Sequence, residues 1–508
     1  MKNGNENDDL DKIDRWNSVP LDVHKWSDHS EIKSLCDDLY QECGIDELEP
    51  RGNRKPARAV KDMLRVLILD LYVNWLRDPE LSIGFSKDKT IFKVKGNRYN
   101  QVFISDKIIP VEAKLVDASY IEELPHYHDK TGSGRSYTTR IRHSEKLRDA
   151  FKELTTSLYD IEFDDRKELI VLHQRFTDEY DQARQKKLDY TDTDYTNQIR
   201  EQLKAYNALL RRTFIDIPSL TEPYVLRQIT KGKRAGKTQR ISIGPDNKHV
   251  HRVFNGTEED NWSKGGRLYG GWWLQIPKAM RQDIYINDQP TVEVDYKALH
   301  PNLLMNDPVY DPYDLEELVN PDLIDNLTEQ RDVVKQLILM AINADSAKKA
   351  FQAFRNDQKK GDPHKKLKDR DLTAYLDAFT DKFPELKEAL NTGKALELMN
   401  TDSVIANMVT DYFTKQDIPV LCIHDSFIIQ YDKEAELRRV LHDASVQVSG
   451  KGIAQDSKAN LHEVQTYVQG NIEGYEERRL TTFSLPARVK PTEQYKLRKS
   501  KHHNWLNS

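Results

Sequence analysis

TVEVDYKALHPNLL, residues 291–304, decides how this chain is read. Val292 and Val294 alternate with Glu293 and Asp295, so a short strand has one apolar face and one face that ends in a carboxylate. Leu299, Leu303 and Leu304 then follow at helical spacing, which turns the strand into a helix just past Asp295. A carboxylate at a strand end is held rigidly and can face a cleft. Standing alone, such an Asp is more often only the cap of the next helix. Three more stretches change the balance: GGRLYGGWWLQIPKAMR (265–281), RDVVKQLILMAIN (331–343) and VLCIHDSFIIQ (420–430).

In the last of these, two apolar strand halves flank His424-Asp425-Ser426, the pattern of a hairpin whose tip carries charge. The chain between Asp295 and Asp425 is long enough to bring the two carboxylates together. In the intervening helix Arg331 and Lys335 lie four residues apart on one face, and Leu339 and Asn343 continue that stripe. Two carboxylates from different strands, opposite paired cations, suit the transfer of a nucleotide to a hydroxyl. That chemistry uses two Mg2+ ions about 3.5–4 Å apart on hard oxygen ligands, and Mn2+ is the natural substitute. Arg331 would grip the terminal phosphates and Lys335 would neutralise or protonate the leaving pyrophosphate.

The bounds agree with such an enzyme. The 508 residues exceed one core, and the formal charge of −6 weighs against a surface that grips nucleic acid everywhere. Basic residues gather instead in KGKRAGKTQR (231–240), KKGDPHKKLKDR (359–370) and RVKPTEQYKLRKSKHH (488–503). The first two are expected to follow backbone phosphates. With no long apolar run and an acidic, polar start, we expect a cytoplasmic protein with no membrane partner. Cys36, Cys43 and Cys422 form neither a disulfide framework nor a zinc pattern.

The expected organisation is an acidic extension over 1–55, an N-terminal α+β domain over 56–150, a helical, thumb-like region over 151–250, a catalytic unit over 251–480 and a disordered basic tail over 481–508. Within the second, an amphipathic helix is predicted from Ala57 to Leu76 and strands in IFKV, QVFI and IIPVEAKLV between Thr90 and Leu115. The loop carrying Arg135, Arg140 and Arg142 offers phosphate contacts. Asp160, Glu162, Tyr190 and Asp194 imitate the spacing of proofreading nucleases, but too few residues separate them to hold a nuclease domain.

Taken in order, the four stretches resemble the palm and fingers motifs of A-family DNA polymerases and of the related single-subunit RNA polymerases. GGRLYGGWWLQIP is similar to that family's T-G-R-L-S-S…L-Q-N-I-P stretch, VEVDYKALHPNLL to its motif A, RDVVKQLILMAIN to its fingers helix and IHDSF to its motif C. The resemblance implies an α+β, right-hand fold with an antiparallel palm sheet and helical fingers and thumb. It makes Asp295, Asp425 and the Tyr296 carbonyl the metal ligands, and Arg267, Gln275 and His424 contacts to primer and template. The partners it implies are DNA and nucleoside triphosphates, with a replicative helicase or small accessory protein expected by analogy with polymerases of phages and mobile genetic elements, some of which are primases. His300 stands where the DNA polymerases have a sugar-excluding Glu, and Asn343-Ala344 where they have Tyr-Gly, so use of ribonucleotides stays open. Two alternatives remain: a small RNA polymerase or primase, and a catalytically silent nucleic-acid-binding replication or defence factor. A carboxylate-pair glycosidase explains the two Asp residues but not the Arg-Lys helix.

Overall fold

The computed structural model describes residues 13–50, 58–93, 96–128, 136–164, 166–178, 183–260, 262–472 and 475–508, with backbone alone over 462–485. Residues 1–12, 51–57 and Arg135 of the expected extension and phosphate loop lie outside that range. Among the described residues no helix is long and apolar enough to cross a membrane.

The fold is α+β, with three hydrophobic cores. The first gathers residues from Ile32 to Ile161 around a helix, Val60–Arg77, that is buried on nearly every side rather than on one face. Asp70, in the middle of that helix, is fully buried and pairs with Lys25, so a charge replaces a core contact without being left unpaired. A four-stranded sheet (Ser18–Pro20, Ser82–Phe85, Thr139–His143, Ile121–Leu124) packs beside it.

Several expected elements differ. Ser30–Glu42 of the acidic extension is a helix that buries Ile32, Cys36 and Leu39 in the first core. IIPVEAKLV is a helix, Ile108–Asp117, because Ile108, Val111 and Leu115 meet the core at helical spacing. Ile91 and Phe92 of IFKV close a 3-10 helix, with Val94 outside the described residues, and QVFI is turn and irregular chain, not strand. The run expected to be a helical thumb begins as an antiparallel hairpin, Ile170–Thr177 with Ala183–Leu188, and only then forms the helix Asp194–Arg212. The basic tail is a helix, Glu493–Leu506, whose Tyr495 and His502 are buried and whose Arg498 pairs with Asp216.

The second core holds the sheet that positions the site. Its central strand, Gln289–Tyr296, pairs antiparallel with Ser426–Gln430 on one edge and with Tyr285–Ile286 and Gln455–Lys458 on the other. Val292, Val294 and Tyr296 turn inward, and the Tyr296 hydroxyl donates to the Leu441 carbonyl of the helix Glu434–Ser449. The opposite face carries Glu293 and Asp295. The third core, from Met305 to Leu398, is helical and includes Leu327–Asn343.

A second hairpin, Val250–Asn255 with Gly265–Gly270, presents Arg267. Gly266 adopts φ +92, and a Cβ there would lie 2.7 Å from both Phe254 Cε1 and Ser403 Oγ. Glycine is required at 266 because the strand must pass this close to the helix Ala395–Lys415. Gly266→Ala is expected to destabilise the protein by about 1–3 kcal/mol in chemical denaturation, and an unchanged unfolding midpoint would show that the close approach is not needed.

Candidate active site

Sheet register brings the two carboxylates together. Asp295 lies opposite Ser426, and Ile423 pairs with Ser426 across a two-residue turn made of His424 and Asp425. Asp425 therefore sits beside the end of the Asp295 strand, where the Tyr296 N–H reaches its carbonyl at 3.5 Å. His424 takes a left-handed φ of +61, unusual for a side chain of its size, which fixes the shape of the tip. Past Asp295 the chain turns into the next helix through Ala298, also left-handed, and the buried Asn302 holds that turn by donating to the carbonyls of Lys297 (2.8 Å) and Val309 (2.9 Å).

The pair is electrostatically uncomfortable. Burial, and then the neighbouring Asp425 charge, push the Asp295 carboxyl up to about 6, against the pull of Lys458 and Lys278. Glu293, two residues back on the same face, adds to the repulsion, while accepting from Ser426 Oγ (2.9 Å) and Arg281 (3.4 Å). Among the described residues no group of three or more His, Cys, Asp or Glu side chains is arranged to hold a metal ion. Two carboxylates alone match the habit of Mg2+, which takes one or two and fills its remaining positions with water and substrate phosphates. The raised Asp295 carboxyl fits a site that gains from an added cation.

Arg267 reaches this centre through a residue that the sequence did not single out. Its guanidinium pairs with Asp402, which is 1% exposed on the helix Ala395–Lys415, and His300 Nε2 lies 2.8 Å from the same carboxylate. Although burial opposes its charge, Arg267 is held further toward the cationic form by Asp402 and then by Asp425. His300 is thus an imidazole held against a buried acid. His424 packs edge-on against Tyr269, with ring centres 5.9 Å apart, and its buried Nδ1 has no hydrogen-bond partner among the described residues. Burial, and then Arg267, keep its ring neutral.

The helix Leu327–Asn343 approaches from the other side. Lys335 is exposed, its ammonium 6.0 Å from the centre of the Tyr313 ring, and Tyr313 senses the Asp425 charge. Tyr313 thus stands between the helix cations and the carboxylates, and nothing in its sequence context marked it. Arg331 is occupied by Asp311 (2.6 Å) and Asp332 (3.2 Å). Leu339 is half-buried, and exposed Asn343 turns its amide back to the Leu339 carbonyl. Gln275 is not drawn into the cluster, since its amide donates to Asn247. The basic turn also differs from expectation: Lys231 pairs with Asp357, and Arg234 and Lys237 with Asp14, which leaves fewer cations there for phosphates. Asp160, of the rejected nuclease pattern, caps a short turn at Ser157.

Comparison with protein-family models and with curated proteins yields no match. Among solved structures, one similar chain is the POL domain of Pol1 from M. smegmatis in complex with DNA primer-template and dNTP. The likeness has 12% identity and a TM-score of 0.27, and spans 38% of this chain and 45% of that one. Agreement this slight settles neither fold family nor activity.

Folding favours the neutral Asp295 carboxyl, so its contribution to stability is complete below the unfolded value of about 3.9 and is lost as pH rises through about 6. Without divalent ions, Asp295→Asn is expected to raise stability at pH 8 by about 1–3 kcal/mol and to have little effect at pH 4. Mg2+ should raise the Tm of the unaltered protein at pH 8 more than that of the variant. Calorimetry at both pH values, with and without Mg2+, checks this, and an equal Mg2+ response would remove Asp295 from the ion site.

Proposed function

We propose that the protein is a template-directed nucleotidyltransferase, an A-family-like DNA polymerase of right-hand arrangement without a proofreading nuclease. The observation that carries this reading is the meeting of Asp295 and Asp425 at adjacent strand edges, linked through Tyr313 to the helix bearing Arg331 and Lys335. Asp295 and Asp425, with the Tyr296 carbonyl, would hold two Mg2+ ions, which supply charge neutralisation and in-line alignment of the reacting oxygens.

The chain's own groups do the rest. Arg331 exchanges Asp311 for the terminal phosphates of the incoming triphosphate. Lys335, exposed and without a carboxylate partner among the described residues, donates a proton to the pyrophosphate as the bond to the α-phosphate breaks. The neutral His424 ring lies against the primer terminus, and Arg267, fixed by Asp402, contacts primer and template near it. Leu339 and Asn343 line the nucleotide's side of the helix, and Gln275 would contact the duplex only through a shift from Asn247.

A second reading, a primase or small RNA polymerase, is favoured by one feature: His300 is tied to Asp402, so no free carboxylate stands at its position to exclude a 2′-hydroxyl. A replicative helicase or small accessory protein as partner belongs to this proposal on analogy alone.

Asp295→Ala or Asp425→Ala is expected to reduce Mg2+-dependent incorporation to background while leaving DNA binding in place, and a variant with full activity rejects the assignment. Loss of all incorporation in the unaltered protein, with DNA binding kept, would make the chain a silent binding factor. Lys335→Ala should lower kcat by about 10²-fold or more with little change in KM. Parallel assays with and without a primer, with each sugar type, separate DNA polymerase from primase. Template affinity should fall with salt at roughly −0.9 in log-log slope per phosphate engaged.

A further inference from the structure

A cavity of about 420 Å3 lies where the first core's module meets the hairpin that carries Arg267. Its walls include His24, Arg77, Lys167, Lys187, His249 and His251. Acidic side chains line it too, and each is paired with a cation, although the buried Asp246 Oδ1 has no hydrogen-bond partner among the described residues. Asp22 takes Lys167 (3.0 Å) and His24 (3.2 Å), Asp246 takes Arg77, and Glu168 takes Arg98 (3.2 Å) and Arg200 (3.1 Å). Lys187 is the cation left over: among the described residues its ammonium has no carboxylate partner and faces the Tyr99 ring at 5.1 Å. The His24 Nε2 atom is buried without a hydrogen-bond partner, and neither His249 nor His251 is hydrogen-bonded through its ring among the described residues. Burial, followed by the nearby Lys167 charge, pushes His251 down to about 4, which leaves a neutral ring able to donate one N–H. An ammonium without a carboxylate partner and two imidazoles able to donate thus face one hollow.

The cavity's place in the fold says what the acceptor is. His251 lies opposite Tyr269 in the hairpin register, with ring centres 6.4 Å apart, and Tyr269 packs on His424 at 5.9 Å. Two ring contacts therefore lead from the cavity wall to the turn that carries Asp425. Resting on the polymerase reading, we propose that this cavity binds the 5′-phosphates of the strand being extended, and in particular the 5′-triphosphate of an initiating nucleotide whose 3′-hydroxyl faces Asp425. Lys187 supplies the charge, and His249 and His251 the directed hydrogen bonds.

The test uses inorganic tripolyphosphate as a probe, titrated calorimetrically into the full chain carrying Arg331→Ala and Lys335→Ala so that the fingers helix does not contribute. Adding Lys187→Gln is expected to weaken binding about tenfold or more, the loss of one charge-assisted bond. Lys187→Arg should restore it, and His251→Gln should weaken it independently. In otherwise unaltered protein, Lys187→Gln should depress dinucleotide synthesis from free triphosphates by the same factor and change extension of a long 5′-hydroxyl primer less than about twofold. Equal loss in both reactions assigns the phosphates to the primer backbone and overturns the initiating-nucleotide source. Tripolyphosphate binding that is unchanged by Lys187→Gln and His251→Gln overturns the site. Intact binding in a protein that incorporates nothing overturns the polymerase reading alone.

Discussion

Two like charges held side by side are the constraint around which the second core of this protein is arranged. Antiparallel register places Asp425 against the end of the Asp295 strand, and their repulsion adds to a burial cost that already disfavours ionisation. Left to itself such a pair would move apart. Here the tip is fixed by His424 in a left-handed conformation and the strand exit by Asn302, so the repulsion is retained as a standing demand for cations. The surroundings answer only in part: Arg281 is turned to Glu293 and Arg267 to Asp402.

Buried charge elsewhere is settled differently. Asp70 with Lys25 and Asp402 with Arg267 are acids removed from water but met by cations at contact distance. Such pairs add little net stability, yet breaking one is expensive, so they fix position more than they add strength. Asp402 shows the use of this: one carboxylate positions both Arg267 and the His300 imidazole.

The site was more legible in the sequence than the module before it. Asp295 and Asp425 could be read because a charge that interrupts apolar alternation in a strand needs a cleft or a cation to face. Arg331 and Lys335 could be read because helical spacing puts them on one face. Asp402 and Tyr313 could not, because their importance lies in contacts across long stretches of chain, which no local pattern encodes. In the N-terminal half, IIPVEAKLV looked like strand from its β-branched residues, but tertiary burial at helical spacing overrode that preference. Charged residues in 183–188 suggested a helix surface, whereas they line an exposed ribbon whose pairing partner, 170–177, supplies the order.

The Lys231–Asp357 contact has a mechanical meaning. Lys231 belongs to the turn between the strands Tyr224–Gln228 and Thr238–Ser242, and Asp357 ends the helix Ala347–Asp357, which packs on Leu327–Asn343. Both side chains are well exposed, so the link is worth no more than about 1 kcal/mol. It works as a weak tether between that turn and the helical core, one that raised ionic strength loosens.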